Sequence, residues 1–227
     1  MATRVRFPSP AHTTRLVVNE ATPVRAPRQG RSDLLRDRRP QVILIGGYPG
    51  SGKSELARTL AREVGWTVID KDTVTRPLVE QLLEVLGRSP HDRESEVYLN
   101  QVRPREYEAV AAVVTENLQC GNSVIADAPF LREFTDPAWL CRTIDAHAAF
   151  NADTTVVWVA CDAQTMHSYL RRRGAARDAT KLADWTAHLE GLDLNFRPPI
   201  AHVVVENSAS SEPLQSQARR IIDKVAA

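Results

Sequence analysis

An open α/β fold, with a five-stranded parallel sheet covered by helices on both faces, is what the sequence predicts, and three observations predict it. From residue 41 onward short apolar runs alternate with helix-length stretches, the pattern of a parallel sheet whose crossovers are helical. Between the first run and the first helix lies Gly47-Tyr48-Pro49-Gly50-Ser51-Gly52-Lys53-Ser54, a G-x-x-x-x-G-K-S spacing. Two further runs end in aspartate, Asp70 and Asp127, at the carboxyl ends of strands where ligands gather in open α/β sheets.

The elements follow in order. Gln41–Gly46 is the first strand, and residues 52–64 form a helix closed by Gly65, a residue suited to a helix C-terminus. Residues 66–70 are the second strand. A helix over 73–86 stops at Gly87, a polar loop covers 88–93, and a further helical stretch, broken near Pro104, runs to Cys120. The third strand is 123–127, a helix spans 136–150, and the fourth strand is 154–160. Asp162 has the side chain of an N-cap for a helix that ends in Arg171-Arg172-Arg173-Gly174. Residues 178–192 read as helix, 201–206 as the fifth strand and 212–225 as a closing helix.

Composition divides the chain in two. Residues 1–40 hold nine arginines against Glu20, Asp33 and Asp37, a net of +6, and prolines at 8, 10, 23, 27 and 40 interrupt any helix. This part reads as a disordered arm, and Pro8 and Pro10 spoil the amphipathic helix that a targeting peptide needs. Residues 41–227, the catalytic domain, carry 20 basic and 25 acidic residues, a net of −5, which disfavours a wide nucleic-acid groove. No apolar stretch approaches the roughly 20 residues that cross a bilayer, and a cytoplasmic protein is expected. Cys120, Cys141 and Cys161 lack C-x-x-C spacing, so buried free thiols are expected rather than disulfides or structural zinc. The six histidines show no ligand spacing either, and Trp66, Trp158 and Trp185 read as core.

The glycine-rich segment is a phosphate-binding P-loop in the strand–loop–helix setting that the motif requires. Its glycines let successive N–H groups point inward at phosphate oxygens, and the following helix adds the positive end of its dipole. Residues Gly47, Tyr48, Pro49, Gly50, Ser51 and Gly52 form the cradle, Lys53 reaches the β- and γ-phosphates, and the Ser54 hydroxyl ligates Mg²⁺. ATP and Mg²⁺ are therefore the expected cofactors.

Asp72, just past the second strand, stands near the phosphates, where a carboxylate accepts the proton of an attacking hydroxyl. Its structural alternative is an N-cap role. Asp70 either faces a helix N-terminus, helps hold Mg²⁺ through water or bonds the substrate, and it ranks second as the base. Asp127 is Walker-B-like, positioning hydrated Mg²⁺, with a turn role before Pro129 as its alternative. Arg173-Gly174-Ala175-Ala176-Arg177-Asp178, at a helix end with a glycine hinge, reads as a lid that lowers arginines onto the phosphates.

On these residues the chain from 41 to 227 resembles the P-loop kinases that include chloramphenicol phosphotransferase, zeta toxins and the kinase domain of polynucleotide kinases. The resemblance rests on Gly47–Ser54, on Ile69-Asp70-Lys71-Asp72, on the strand ending in Asp127 and on the lid. It implies a P-loop NTPase fold of the nucleoside-monophosphate-kinase-like kind, Asp72 as the general base, and Arg173 and Arg177 as the lid arginines. Polynucleotide kinases place an arginine three residues past their aspartate to grip the acceptor phosphate. Here that position is Thr75, with Arg76 one step later as the candidate substrate contact.

The function expected is transfer of the γ-phosphate of ATP to a hydroxyl of a small molecule such as an antibiotic, sugar or nucleoside. A nucleic-acid 5′-hydroxyl kinase and a nucleotide-gated binding module are the alternatives. Residues 73–86 and 98–134 would form the acceptor pocket, and their Leu, Val, Tyr and Phe point to a partly apolar alcohol.

Overall fold

The computed structural model describes residues 39–225, so all but the last two residues of the expected arm lie outside the described residues. The strands are β1 (Gln41–Gly46), β2 (Thr67–Asp70), β3 (Val124–Asp127), β4 (Asp153–Ala160) and β5 (Val203–Glu206). They form one sheet in the order β2-β3-β1-β4-β5, and every pairing is parallel. Putting β3 between β1 and β2 opens a crevice at the carboxyl ends of these strands, where the chain changes direction across the sheet.

The helices are α1 (Lys53–Val64), α2 (Lys71–Val85), α3 (Arg103–Gln119), α4 (Leu131–Thr135), α5 (Pro137–Ala148), α6 (Ala163–Arg173), α7 (Ala179–Ala183), α8 (Trp185–Glu190) and α9 (Leu214–Val225). Alternation along β1 divides the core. Val42 and Leu44 face a layer containing Val110 and Val114 of α3, Leu140 of α5 and Phe134. Ile43 and Ile45 face Leu56 and Leu60 of α1 and Ile221 and Ile222 of α9. Both faces of a parallel sheet are thus covered, which is why its strands read as continuous apolar runs. Among the described residues no helix is long and apolar enough to cross a membrane.

Several elements differ from the sequence expectation, each for a local reason. The second crossover begins at Lys71 rather than residue 73, because the Asp70 side chain accepts from the Thr73 backbone N–H and starts the helix there. Asp70 is therefore the N-cap, a role expected as an alternative for Asp72. The break near Pro104 is a π-helical turn over Tyr98–Val102, in which the Arg103 N–H reaches back to the Tyr98 carbonyl. It leads into α3 with Pro104 in the first turn, where the missing N–H costs nothing.

The expected helix over 178–192 is a 3-10 turn (Ala176–Asp178) followed by α7 and α8, broken where the Asp184 side chain caps α8 through the Ala187 N–H. The short α4 escapes the sequence reading, and β5 starts at Val203 rather than 201. Trp158 is core, whereas Trp66 packs at the edge of the core and Trp185 is half-buried against His167 and His188. Of the cysteines only Cys161 is buried; Cys120 and Cys141 are exposed free thiols, against expectation.

Candidate active site

The P-loop takes its shape from positive φ angles at Gly50 (84°) and Gly52 (94°), a backbone region that glycine enters without steric cost. Neighbours also close on it. A Cβ at Gly50 would lie 2.9 Å from the Met166 carbonyl oxygen and from Leu170 Cγ, so α6 sits directly on the loop. The Asn207 side-chain amide, just past β5, donates to the Ser51 carbonyl (2.8 Å). Tyr48 donates its hydroxyl to the Asp193 carbonyl and meets Trp158 edge-on at 5.5 Å. Lys53 is buried, and its Nζ donates to the Tyr48 carbonyl (3.0 Å). Burial lowers the pKa of this ammonium, and the Asp127 carboxylate opposes that shift.

Asp70 and Asp127 are register partners at the ends of β2 and β3. The Ser54 hydroxyl donates to Asp70 Oδ2 at 3.3 Å. Burial raises Asp127 to about 6, with Lys53 pulling the other way. A hydroxyl beside two carboxylates is a hard oxygen set that suits Mg²⁺. The Ser51 hydroxyl is buried with no hydrogen-bond partner among the described residues, as a donor awaiting a phosphate oxygen would be. The residues present thus fit a Mg²⁺–nucleotide. Among the described residues no group of three or more His, Cys, Asp or Glu could hold a metal by itself.

Asp72 lies in the first turn of α2, half-buried. Burial pushes its pKa up, but the Lys71 ammonium 3.1 Å away and the Arg177 guanidinium 2.7 Å away more than offset this, leaving it below the usual range. Arg177 reaches Asp72 from the 3-10 turn past Gly174, which takes the left-handed conformation (φ 61°) of a glycine that ends a helix. Arg173 is held by the buried Asp178, its Nε donating to Oδ2 at 3.0 Å.

Lys71 was not singled out from sequence. It is buried, with Nζ 2.7 Å from Glu106 Oε1 on α3, and Glu106 also accepts from Thr75 Oγ1 (2.8 Å) and the Tyr98 hydroxyl (2.6 Å). Thr75, at the position where polynucleotide kinases carry an arginine, is therefore turned inward, while Arg76 is exposed on the cleft wall. No local sequence signal links Lys71 to Glu106, and only the fold brings the two together.

Lys53, Ser54, Asp70, Lys71, Asp72, Asp127, Arg173 and Arg177 line one cleft of about 1100 Å³. The P-loop, α6 and the lid form one side, and α2, the loop after it, the start of α3 and the turn after β3 form the other. The expected acceptor segments do meet here, through Tyr98, Leu99, Tyr107 and Leu131. Arg76, Arg103 and Arg132 of these segments share the wall with them, joined by Arg93 from the loop after α2.

A P-loop after the first strand and a five-stranded parallel sheet with helices on both faces define the fold of a P-loop kinase. Residues 42–198 match the family model AAA_33, described as an AAA domain, and the chain belongs to that family. It is 35% identical over 107 residues to a shikimate kinase of Moorella thermoacetica, a match covering 44% of this chain and 58% of that protein. The chain thus spans less than two thirds of the length of this curated relative. Among solved structures, the APS kinase CysC of Mycobacterium tuberculosis superposes with a TM-score of 0.54 at 20% identity, over 83% of this chain and 99% of that one. A gluconokinase from Sinorhizobium meliloti 1021 does so with a TM-score of 0.51 at 16% identity, over 83% and 95%. At these identities the likeness is one of fold.

Proposed function

We propose that the protein transfers the γ-phosphate of ATP to a hydroxyl of a small molecule. The observation that carries this is the juxtaposition in one cleft of the P-loop Lys53 and Ser54, the carboxylate of Asp72 and the lid guanidinium of Arg177. The names of the similar proteins, a shikimate kinase, an APS kinase and a gluconokinase, support the same reaction class. Within the P-loop kinases we group the chain with the chloramphenicol phosphotransferases, zeta toxins and polynucleotide kinases, on Asp72 and the lid sequence Arg173–Asp178.

In this reading the acceptor hydroxyl lies against Asp72. Its oxygen forms a bond to the γ-phosphorus, the bond from that phosphorus to the β–γ bridging oxygen breaks, the proton passes to the Asp72 carboxylate and ADP departs. A carboxylate held below the usual range stays ionised at neutral pH, so Asp72 is a standing acceptor that aligns the hydroxyl before transfer. Lys53, Arg173 and Arg177 counter the charge that spreads over the phosphoryl oxygens. Ser54 and, through water, Asp127 would hold Mg²⁺, whose charge would help neutralise the phosphates. Gly47 to Ser54 cradle the phosphates, while Asp70 fixes Ser54.

Asp72→Asn keeps the shape of the site and removes the proton acceptor. Its kcat is expected to fall roughly 10²- to 10⁴-fold. Labelled phosphate transfer to a pooled acceptor library reads this directly. Undiminished transfer by the variant would remove Asp72 as the base, and tight ATP binding without any product would favour a nucleotide-gated binding module.

A further inference from the structure

The carboxylates on the acceptor side of the cleft are already engaged. Glu133 takes both terminal nitrogens of Arg103 (2.8 and 2.7 Å), Glu106 takes Lys71, and Asp72 takes Lys71 and Arg177. On this side of the cleft three guanidinium groups are left over. Among the described residues no carboxylate lies within ion-pair distance of Arg76, Arg93 or Arg132, although all three line the cleft. They come from separate places: Arg76 from α2, Arg93 from the loop after it and Arg132 from α4, just past β3. Arg93 is held in position, donating to the Pro90 and Asp92 carbonyls and lying over the Tyr98 ring at 5.2 Å.

Position in the sheet assigns these arginines to the acceptor rather than to ATP. The P-loop follows β1, and the segment after β5 reaches it from one side through Asn207. The three arginines follow β2 and β3, on the other side of β1 and beyond Asp72. A neutral alcohol has no use for three positive charges in one concavity, whose walls focus their field inward. An oxyanion does, because guanidinium forks match carboxylate and phosphate geometry. Leu99, Tyr107 and Leu131 beside them offer an apolar surface for a carbon skeleton.

We infer that the acceptor is a small hydroxyl compound bearing a carboxylate or phosphate group, and that Arg76, Arg93 and Arg132 bind this anion while Asp72 takes the hydroxyl. This inference rests on the kinase reading and adds an anionic group to the partly apolar alcohol expected from sequence.

The test uses the full chain, saturated with a non-hydrolysable ATP analogue and Mg²⁺, and matched sets of probes. Glucose is compared with gluconate and glucose 6-phosphate, ribose with ribose 5-phosphate, and a cyclohexanetriol with its carboxylic acid. Thermal unfolding reads binding. Anionic members are expected to raise Tm where their neutral partners do not, and the carboxylate and phosphate arms say which anion is taken. In Arg76→Gln/Arg132→Gln, two exposed replacements, the anion-dependent shift should vanish and affinity should fall roughly 10- to 100-fold. The shift due to the ATP analogue should persist, showing that the variant is folded. Arg105→Gln, outside the cleft, serves as the matched control.

Equal response to neutral and anionic partners overturns the inference, as does an anion response surviving in the double variant or absent from every set. A response confined to a 5′-hydroxyl oligonucleotide overturns the small-molecule acceptor. Transfer from ATP is measured separately: an anion that binds at these arginines but receives no phosphate defeats the kinase reading and leaves the anion site standing.

Discussion

Asp72 depends on a neighbour that does not touch the substrate in this reading. Lys71 contacts both Asp72 and Glu106, and Glu106 is fixed by Thr75 and Tyr98. Removing one partner of a buried ion pair strands the other charge, a cost of about 3–5 kcal/mol. Lys71→Met should lose stability on that scale in urea denaturation. Adding Glu106→Gln, which keeps an acceptor for the Tyr98 hydroxyl but removes the stranded charge, should recover more than half. If the double variant is no more stable than the single one, the pair is not what holds this corner. At this scale the sequence was partly legible. The P-loop residues and aspartates announce themselves by spacing, whereas Lys71–Glu106 and Arg103–Glu133 join residues 35 and 30 positions apart, and the arginine wall gathers residues from three separate segments. No local pattern marks such pairs.

Among the elements, those set by long apolar periodicity or by a capping residue were readable. Asp162 caps α6 through the Thr165 N–H and Gly174 ends it, as expected from their residue types. The segment over 178–192 was misread because Asp184 offered its own cap and divided it, and α4 was missed because five residues carry too little periodicity. The contact between α5 and β4 bears a pH signature. His147 is buried on α5, with Nδ1 2.9 Å from the Thr154 hydroxyl of β4, and burial lowers its pKa to about 4. The fold therefore prefers the neutral imidazole. Its contribution is complete above the unfolded value near 6.5 and is lost as pH falls toward the folded value near 4, by about 3 kcal/mol in all. His147→Asn, which does not titrate, should be less stable at pH 7 yet lose less stability than wild type between pH 6.5 and 4. Parallel unfolding curves across that range would show that His147 does not couple α5 to acidity.

In the molecule as a whole, the fold class, the parallel sheet and the two apolar layers followed from the alternation of runs, because the central strands of this sheet are covered on both faces. The strand order and the lining of the cleft did not, since they depend on how distant crossovers are placed. The placement of Arg177 has a consequence for the order in which ligands meet the protein. One guanidinium faces two claims, the Asp72 carboxylate that it holds at 2.7 Å and, in the proposed reaction, the phosphates of the nucleotide. A nucleotide that draws Arg177 toward itself bares Asp72 for the acceptor. By thermodynamic reciprocity an acceptor on Asp72 then releases Arg177 to the nucleotide, each ligand tightening the other by the same factor. Such substrate synergism would make the lid a coincidence detector: titrating each ligand with the other present and absent should give equal ratios of Kd, and independent affinities would show that the guanidinium is not shared.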